Sequence, residues 1–144
     1  MNVHLVPILE LDDLSRRRMA SLVATKRPGG LVGLEDWDKQ IPNRFGYVVC
    51  DNSLPGPVGF VVCNGGIKLG VAPAWWMAPE YEGKGYGSCA VKLLAEEAFR
   101  LGYRQIYQIT YVAINTPDIF DYDKSRRMGN RFVQRFKELL KGAK

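Results

Sequence analysis

The chain has 144 residues, enough for about one domain, of which 47% are hydrophobic and 24% charged. No apolar run is long enough to cross a membrane, and the first residues lack the basic start and cleavage pattern of a signal peptide. Three cysteines and a single histidine, His4, argue against a disulfide framework or a metal site and favour a reducing, cytoplasmic compartment.

The net charge of +5 is concentrated near the C-terminal end. From Lys124 to Lys144 the chain carries eight Lys or Arg residues and one acid, Glu138, which gives this stretch a charge of +7. The rest of the chain is slightly acidic. A basic segment of this kind either meets phosphates or an acidic partner, or forms a solvated helix face. The sequence leaves both interpretations open.

The first part of the chain predicts a strand and two helices. Residues 2–9 have strand character, and Pro7 restricts them to the edge of a sheet. Asp12 or Asp13 is the expected N-cap of a helix. A second, short helix is expected over residues 31–40.

Three strands are predicted in the middle of the chain, over residues 45–51, 58–63 and 67–78. The first two strands are rich in β-branched and aromatic residues and are joined by a turn, so they form a hairpin. The third strand is weakened by Pro73.

A helix over residues 86–101 is the best-marked element. Its apolar residues recur at helical spacing, and Gly102 stands where a C-cap glycine is expected. Residues 104–113 follow as a strand. The order strand, glycine loop, helix and strand is typical of a crossover that joins two parallel strands.

The loop before this helix holds three glycines, Gly83, Gly85 and Gly87, in five positions. A helix N-terminus offers unpaired N–H groups, and glycines let a phosphate approach them closely. Lys84 adds a cation. The spacing fits neither the Walker loop nor the dinucleotide-binding fingerprint. A phosphate-binding loop is favoured, and a tight turn without a ligand is the plainer alternative.

The segment MAPEYEGKGYGSCAVKLLAEEA, residues 77–98, resembles the acetyl-CoA-binding motif of the GNAT superfamily of N-acetyltransferases. The family core reads Q/R-x-x-G-x-G/A, and Glu82, Gly85 and Gly87 occupy its positions here. Glu82 replaces the usual Arg or Gln, which is unfavourable beside a pyrophosphate, and Lys84 offsets it. The resemblance implies an α/β fold, with a mixed, twisted sheet flanked by helices, in a single domain over residues 1–144.

The resemblance also implies roles for individual residues, with acetyl-CoA as co-substrate and no metal. The backbone at Met77 and Ala78 would pair with the pantetheine arm, and an N–H near Met77 would stabilise the oxyanion. Asn115 resembles a family asparagine that contacts the cofactor, and Tyr122 is the candidate acid for the leaving thiolate. The pyrophosphate would lie on the loop residues Glu82, Gly83, Lys84, Gly85, Tyr86, Gly87 and Ser88.

The general base is less well marked. Residues 67–78 contain no carboxylate, so the candidates are Glu80, Glu35 and Asp36. An amine that arrives partly neutral would need no dedicated base. Since no suited nucleophile such as a Cys–His pair is visible, direct attack of the amine in a ternary complex is the expected mechanism.

The C-terminal segment, residues 116–144, is basic, and its apolar residues have helical spacing. The family usually closes with one more helix and two strands, whereas no final strands are visible here. Gly129-Asn130 is expected to interrupt the helix. The fold is therefore shortened or completed by another chain, which leaves a homodimer open.

Three functions follow from these observations. The first is acetyl transfer to an amine of a small molecule or a protein. The second is a non-catalytic protein that keeps the fold for binding or assembly. The third, ranked last, is nucleic-acid binding through the basic C-terminal segment. No membrane partner is expected.

Overall fold

The computed structural model describes residues 1–14, 44–107 and 122–143. Helical geometry begins at Asp13, which fits Asp12 and not Asp13 as the N-cap. The predicted helix over residues 31–40 lies outside the described ranges. Short 3-10 turns occupy Ile8–Glu10 and Pro79–Tyr81. The strands are β1 (Val3–Pro7), β2 (Arg44–Asp51), β3 (Gly59–Asn64) and β4 (Ala72–Met77), and the helices described to both ends are α1 (Tyr86–Leu101) and α2 (Tyr122–Gly142).

The four strands form an antiparallel sheet in the order β1-β2-β3-β4. β1 lies at one end of this order, where Pro7, which has no N–H to donate, pairs with Tyr47. The apolar residues of β3 are buried on both of its faces, as expected for an inner strand. The predicted edge strand and hairpin are therefore confirmed.

β4 begins later than predicted, at Ala72 instead of residue 67. The N–H groups of Leu69 and Gly70 both donate to the carbonyl of Gly66, at 3.1 and 3.0 Å, so this stretch closes into a turn. Gly70 adopts a φ of 126°, and a Cβ there would lie 2.8 Å from the backbone nitrogen of Tyr107. No local sequence pattern reveals this close approach, because Gly70 and Tyr107 are far apart in the chain.

The chain returns beside β4 in a parallel direction. Val71 and Ile106 form a parallel bridge. The Val71 N–H donates to the Gln105 carbonyl, and the Tyr107 N–H donates to the Val71 carbonyl, both at 2.9 Å. This isolated bridge, beside the four antiparallel strands, has the parallel direction that the predicted crossover requires. Residues 108–113 of the predicted strand lie outside the described part of the chain.

The helix α1 packs on the sheet through its predicted apolar face. The hydroxyl of buried Tyr47 on β2 donates a 3.0 Å hydrogen bond to Glu97 on α1. Gly102 ends the helix with a φ of 109°, and the N–H of Tyr103 donates to Ala98 at 3.0 Å. The buried residues of α1 are Tyr86, Ala90, Val91, Leu94, Ala95 and Ala98.

The helix α2 packs on α1 and runs in the same direction. Met128 contacts Gly87 in the first turn of α1. Farther along both helices, Arg135 forms a 2.8 Å ion pair with Glu96. Later residues of one helix thus meet later residues of the other. Both helices therefore begin toward the end of the molecule that carries the glycine loop.

The prediction that Gly129-Asn130 interrupts the C-terminal helix is wrong, because α2 is continuous through both residues. A glycine in a helix interior costs about 1 kcal/mol relative to alanine. Burial of the adjacent side chains outweighs that cost, since Met128 and Phe132 are both buried. Among the residues that the structure describes, no helix is both long and apolar enough to span a membrane.

Candidate functional site

The glycine loop between β4 and α1 exposes its backbone. Gly83 and Gly85 adopt left-handed φ angles of 75° and 91°, which L side chains rarely adopt. A Cβ at Gly83 would meet no described atom within 4 Å, and one at Gly85 would lie 3.9 Å from the terminal methyl of Met1. The backbone conformation therefore favours glycine at both positions, and no described atom crowds the space beside Gly83.

The helix α1 begins at this loop without a capping side chain. Gly85 is the N-cap residue, no side chain caps it, and the first turn contains no acid. The first intrahelical bond runs from the Cys89 N–H to the Gly85 carbonyl, at 3.2 Å. The N–H groups that precede it in a helix have no intrahelical partner and carry the positive end of the helix dipole. This arrangement can bind an anion such as a phosphate.

Gly87 serves a different purpose from the other two loop glycines. A Cβ at Gly87 would lie 2.8 Å from Cε and 3.0 Å from Sδ of Met128. The missing side chain therefore lets α2 approach the first turn of α1. No local sequence pattern signals this contact, because Gly87 and Met128 are far apart in the chain.

Tyr86, the first residue of α1, is held by Asp51 at the end of β2. The Tyr86 hydroxyl donates a 2.7 Å hydrogen bond to Oδ2 of Asp51. The backbone N–H and the hydroxyl of Ser53 donate to Oδ1, at 3.1 and 2.9 Å. These bonds, with that of Tyr86 foremost, lower the pKa of Asp51 to about 2. The same bond raises the pKa of Tyr86, so Tyr86 stays a hydrogen-bond donor.

Asp51 was missed by the sequence analysis. It is 4% exposed and is the one buried charged side chain among the described residues. An Asp just before a turn is ordinarily read as a turn residue, and Asp51 does accept the bonds of such a turn from Ser53. The additional bond to Tyr86 crosses 35 positions of sequence and ties the sheet to the start of α1.

Aromatic rings and a lysine flank the loop. The ring of Tyr81 packs edge to face on Tyr86, with 5.9 Å between the ring centres. The ammonium of Lys84 lies 5.8 Å from the centre of the Tyr81 ring. A cation at this distance is attracted by the ring face. Lys84 is therefore held beside the N-terminus of α1, on the solvent side.

A second cation reaches the loop from α2. The guanidinium of Arg131 donates a hydrogen bond to the hydroxyl of Ser88, the third residue of α1. Glu80 and Glu82 are both exposed and add negative charge to the same loop. The predicted loop residues thus come together around one helix start, with charges of both signs.

Successive backbone N–H groups of β4 and its flanking residues point to opposite edges of the strand. The Ala78 N–H donates to the Val58 carbonyl at 2.8 Å, on the side of β3. Val71 instead bonds to residues 105–107 on the opposite side. Backbone groups alternate in direction along a strand. Because the register of β3 and β4 is regular from Asn64 to Gly59, Met77 directs its N–H to the same edge as Val71.

Several predicted site residues lie partly or wholly outside the described structure. Tyr122 is the first residue of α2, but its side chain is among those not described. The helical rise places Tyr122 roughly 9 Å before Met128 along the axis of α2. Within the described ranges, no group of His, Cys, Asp and Glu side chains could hold a metal ion. Asn115, Glu35 and Asp36 lie outside those ranges, and the roles predicted for them stay predictions.

Solved acetyltransferases share this fold at low sequence identity. A Salmonella typhimurium acetyltransferase that modifies the N-terminal serine of ribosomal protein L7/L12 is 16% identical, with a TM-score of 0.58, and the match covers 92% of this chain and 80% of that one. A spermidine N-acetyltransferase from Vibrio cholerae, in complex with CoA and spermine, is 16% identical with a TM-score of 0.53, covering 69% of this chain and 65% of that one.

A chimeric spermidine N-acetyltransferase from Vibrio cholerae and hSSAT is 18% identical, with a TM-score of 0.54 over 70% of this chain. The match spans 64% of that chimera's length. No curated protein sequence matches the chain. The model of the acetyltransferase (GNAT) family matches residues 11–126. Since this match includes most of the chain, the predicted fold is confirmed, and the protein belongs to the acetyltransferase (GNAT) family.

Proposed function

We propose that the protein transfers an acetyl group from acetyl-CoA to the nitrogen of an amine. The observation that carries this proposal is the uncapped N-terminus of α1 behind the left-handed residues Gly83 and Gly85. This is the segment that resembles the pyrophosphate-binding motif of the family to which the chain belongs. N–H groups without an intrahelical partner, in a first turn that contains no acid, fit a pyrophosphate.

The charges around the loop are mixed but compatible with this ligand. Glu82, which is exposed, opposes an anion. The dipole of α1 and the ammonium of Lys84, held over Tyr81, favour it. Since an exposed charge is screened by solvent more strongly than groups in direct contact with the ligand, the backbone N–H groups outweigh Glu82, and the exposed Lys84 offsets its charge.

Acetyl-CoA, when bound, supplies an acyl group activated as a thioester. The backbone of residues 83–88 would bind its pyrophosphate. The Met77 N–H, directed to the edge of β4 opposite β3, would stabilise the negative charge that develops on the carbonyl oxygen. Tyr122 would give a proton to the departing sulfur, and Glu80 or water would take a proton from the attacking amine.

Two classes of amine acceptor are compatible with this chemistry, a polyamine and a protein N-terminus. The neighbours of similar fold include a spermidine N-acetyltransferase and an enzyme that modifies an N-terminal serine. We propose an amine acceptor without choosing between a polyamine and a protein N-terminus. A non-catalytic binding protein is the second candidate function, and the observation that favours it is the exposed acid at Glu82, where the family usually has Arg or Gln.

The first experiment is calorimetric titration of the wild type, Gly85→Asp and Gly85→Asn with acetyl-CoA. Asp and Asn have nearly the same shape, and both tolerate the left-handed conformation better than most residues. They differ in charge, so loss of binding beyond that of Gly85→Asn reports repulsion of a phosphate. We expect micromolar binding by the wild type, weaker binding by Gly85→Asn, and no measurable binding by Gly85→Asp.

Turnover is then followed as free thiol released in the presence of spermidine or of a peptide that begins with serine. Thiol release with either amine, and not with a form of it in which every amine is acetylated, supports the transferase. Binding of acetyl-CoA without release for any amine would favour the non-catalytic protein. A folded wild type that binds no acetyl-CoA would contradict the proposed activity.

A further inference from the structure

The helix α2 brings a basic side chain to the start of α1. Met128 lies against Gly87, so the two helices touch at the first turn of α1. One helical turn later along α2, the guanidinium of Arg131 donates to the hydroxyl of Ser88. Because the two helices run in the same direction, Arg131 lies at the end of the molecule where the uncapped N–H groups of α1 are found.

Arg131 differs from Arg135 and Arg100, which are both paired with carboxylates. Arg135, one turn farther along α2, is bound by Glu96 at 2.8 Å and by Glu138 at 3.2 Å. Arg100 on α1 is bound by Glu97 at 2.7 Å. Within the described part of the chain, Arg131 forms no ion pair, and its hydrogen-bond acceptor is the neutral hydroxyl of Ser88. Its positive charge is therefore uncompensated by a carboxylate there.

The loop itself has an acid where a cation or amide is usual in the family. Glu82 is exposed in that position. A pyrophosphate carries its negative charge on oxygens that accept charge-assisted hydrogen bonds, and an arginine can donate two such bonds at once. A cation from α2 would restore the positive charge that Glu82 removes from the loop.

We propose that Arg131 is a binding residue for the pyrophosphate of coenzyme A, supplied by the C-terminal helix in place of a basic or amide residue at position 82. This inference rests on the proposed acetyl-CoA site and adds to it a function for α2. The Ser88 hydroxyl holds the guanidinium at the third residue of α1, and Gly87 and Met128 set the approach of the two helices.

The test is titration calorimetry with CoA and with 3′-dephospho-CoA, for the wild type, Arg131→Ala and Arg135→Ala. The two variants remove the same side chain one helical turn apart on α2. Thermal unfolding of each variant identifies any loss of fold. We expect Arg131→Ala to weaken CoA binding about 10- to 100-fold, the range for a lost charge-assisted hydrogen bond. Arg135→Ala is expected to bind within about twofold of the wild type, because its charge is already paired.

The same loss with 3′-dephospho-CoA would support contact with the pyrophosphate. A loss seen with CoA but absent with 3′-dephospho-CoA would assign Arg131 to the 3′-phosphate and overturn the proposal. Equal weakening of CoA binding by Arg131→Ala and Arg135→Ala would mean that only the overall positive charge of α2 matters, which would overturn the proposal. Wild-type affinity in Arg131→Ala would show that Arg131 has no role in binding CoA. If the wild type itself binds no CoA, the acetyl-CoA site fails first and Arg131 loses its ligand.

Discussion

The hydroxyl of Tyr86 and the carboxylate of Asp51 are joined by a buried 2.7 Å hydrogen bond. Tyr86 is the first residue of α1, and Asp51 is the last residue of β2. The bond therefore fixes the start of α1, where the loop exposes its N–H groups, against the end of a central strand. The position of the candidate phosphate site depends on this link between sheet and helix.

A double-mutant cycle measures the link. Tyr86→Phe removes the donor, and Asp51→Ala removes the acceptor and leaves the Ser53 donors without it. We expect each single variant to lower the free energy of unfolding, and the double variant to lose less than the sum of the two, because the second change removes nothing further from the pair. Tyr81→Phe, on the ring that packs against Tyr86, is the control and should be additive with Asp51→Ala. If the losses for Tyr86→Phe and Asp51→Ala simply add in the double variant, the bond between them does not contribute to the free energy of unfolding.

The pKa of Asp51 predicts a dependence of stability on pH. In the folded protein it is lowered from 3.8 to about 2. A lowered pKa stabilises the fold above the unfolded pKa, and this contribution is lost as the pH falls toward the folded pKa. Asp51→Asn has no carboxyl to titrate. Its stability deficit relative to the wild type, measured by urea unfolding, should be constant above about pH 5 and shrink between about pH 4 and 2. A deficit that does not change with pH would contradict the assignment.

Gly87 is predicted to be a packing residue for α2. Gly87→Ala places a Cβ 2.8 Å from the terminal carbon of Met128, which must move. Overpacking of this kind costs about 1–3 kcal/mol, and the flexible end of Met128 puts the expected cost near the lower value. In a Met128→Ala background the same Gly87→Ala change should cost nothing or be stabilising, because the clash is gone and alanine favours a helix more than glycine does. Urea unfolding of the four proteins gives the coupling, and an equal cost in both backgrounds would rule out this contact as the reason for glycine.

Local sequence patterns predicted the elements that depend on local chemistry. The hairpin of β2 and β3 follows from β-branched and aromatic residues around a turn, and the buried face of α1 follows from hydrophobic periodicity. Gly102 marks the end of α1 through its left-handed conformation. The left-handed angles of Gly83 and Gly85 likewise agree with a loop in which the backbone is exposed. In each case the structure is determined by residues that are neighbours in the sequence.

The features that sequence did not predict depend on distant residues. The turn before β4 is set by Gly70, whose missing side chain lets the backbone of Tyr107 approach. The unbroken course of α2 through Gly129 depends on packing against α1. Asp51 and Tyr86 meet across the fold. A single sequence contains no pattern that pairs such residues, so these contacts required the structure.

The packing of α2 on α1 predicts a large effect for Phe132. This side chain is fully buried and stacks on Phe136, with 6.0 Å between the ring centres. Phe132→Ala should lower the free energy of unfolding by about 3–5 kcal/mol, since it removes a large apolar group from a close-packed site. Gln134→Ala, at an exposed position of the same helix, should change it by less than about 0.5 kcal/mol. Similar small effects for both, in urea unfolding, would mean that α2 does not pack on α1.

The last prediction concerns the N–H of Met77 and rests on the proposed activity. Met77→Pro removes this N–H, whereas Met77→Ala keeps it and shortens the side chain. β4 already contains Pro73, whose missing N–H would point to the same edge, so a proline at Met77 breaks no bond to β3.

If the Met77 N–H stabilises the oxyanion, Met77→Pro should lower kcat about 10²- to 10³-fold with the KM for acetyl-CoA changed much less. Met77→Ala should retain most of kcat, although Met77 is buried and its loss lowers stability. Thermal unfolding first shows that both variants are folded. Steady-state kinetics on them then separates the effect of losing the N–H from the effect of losing the side chain. An equal fall in kcat for both variants would assign the effect to the side chain and exclude the N–H as the donor that stabilises the transition state.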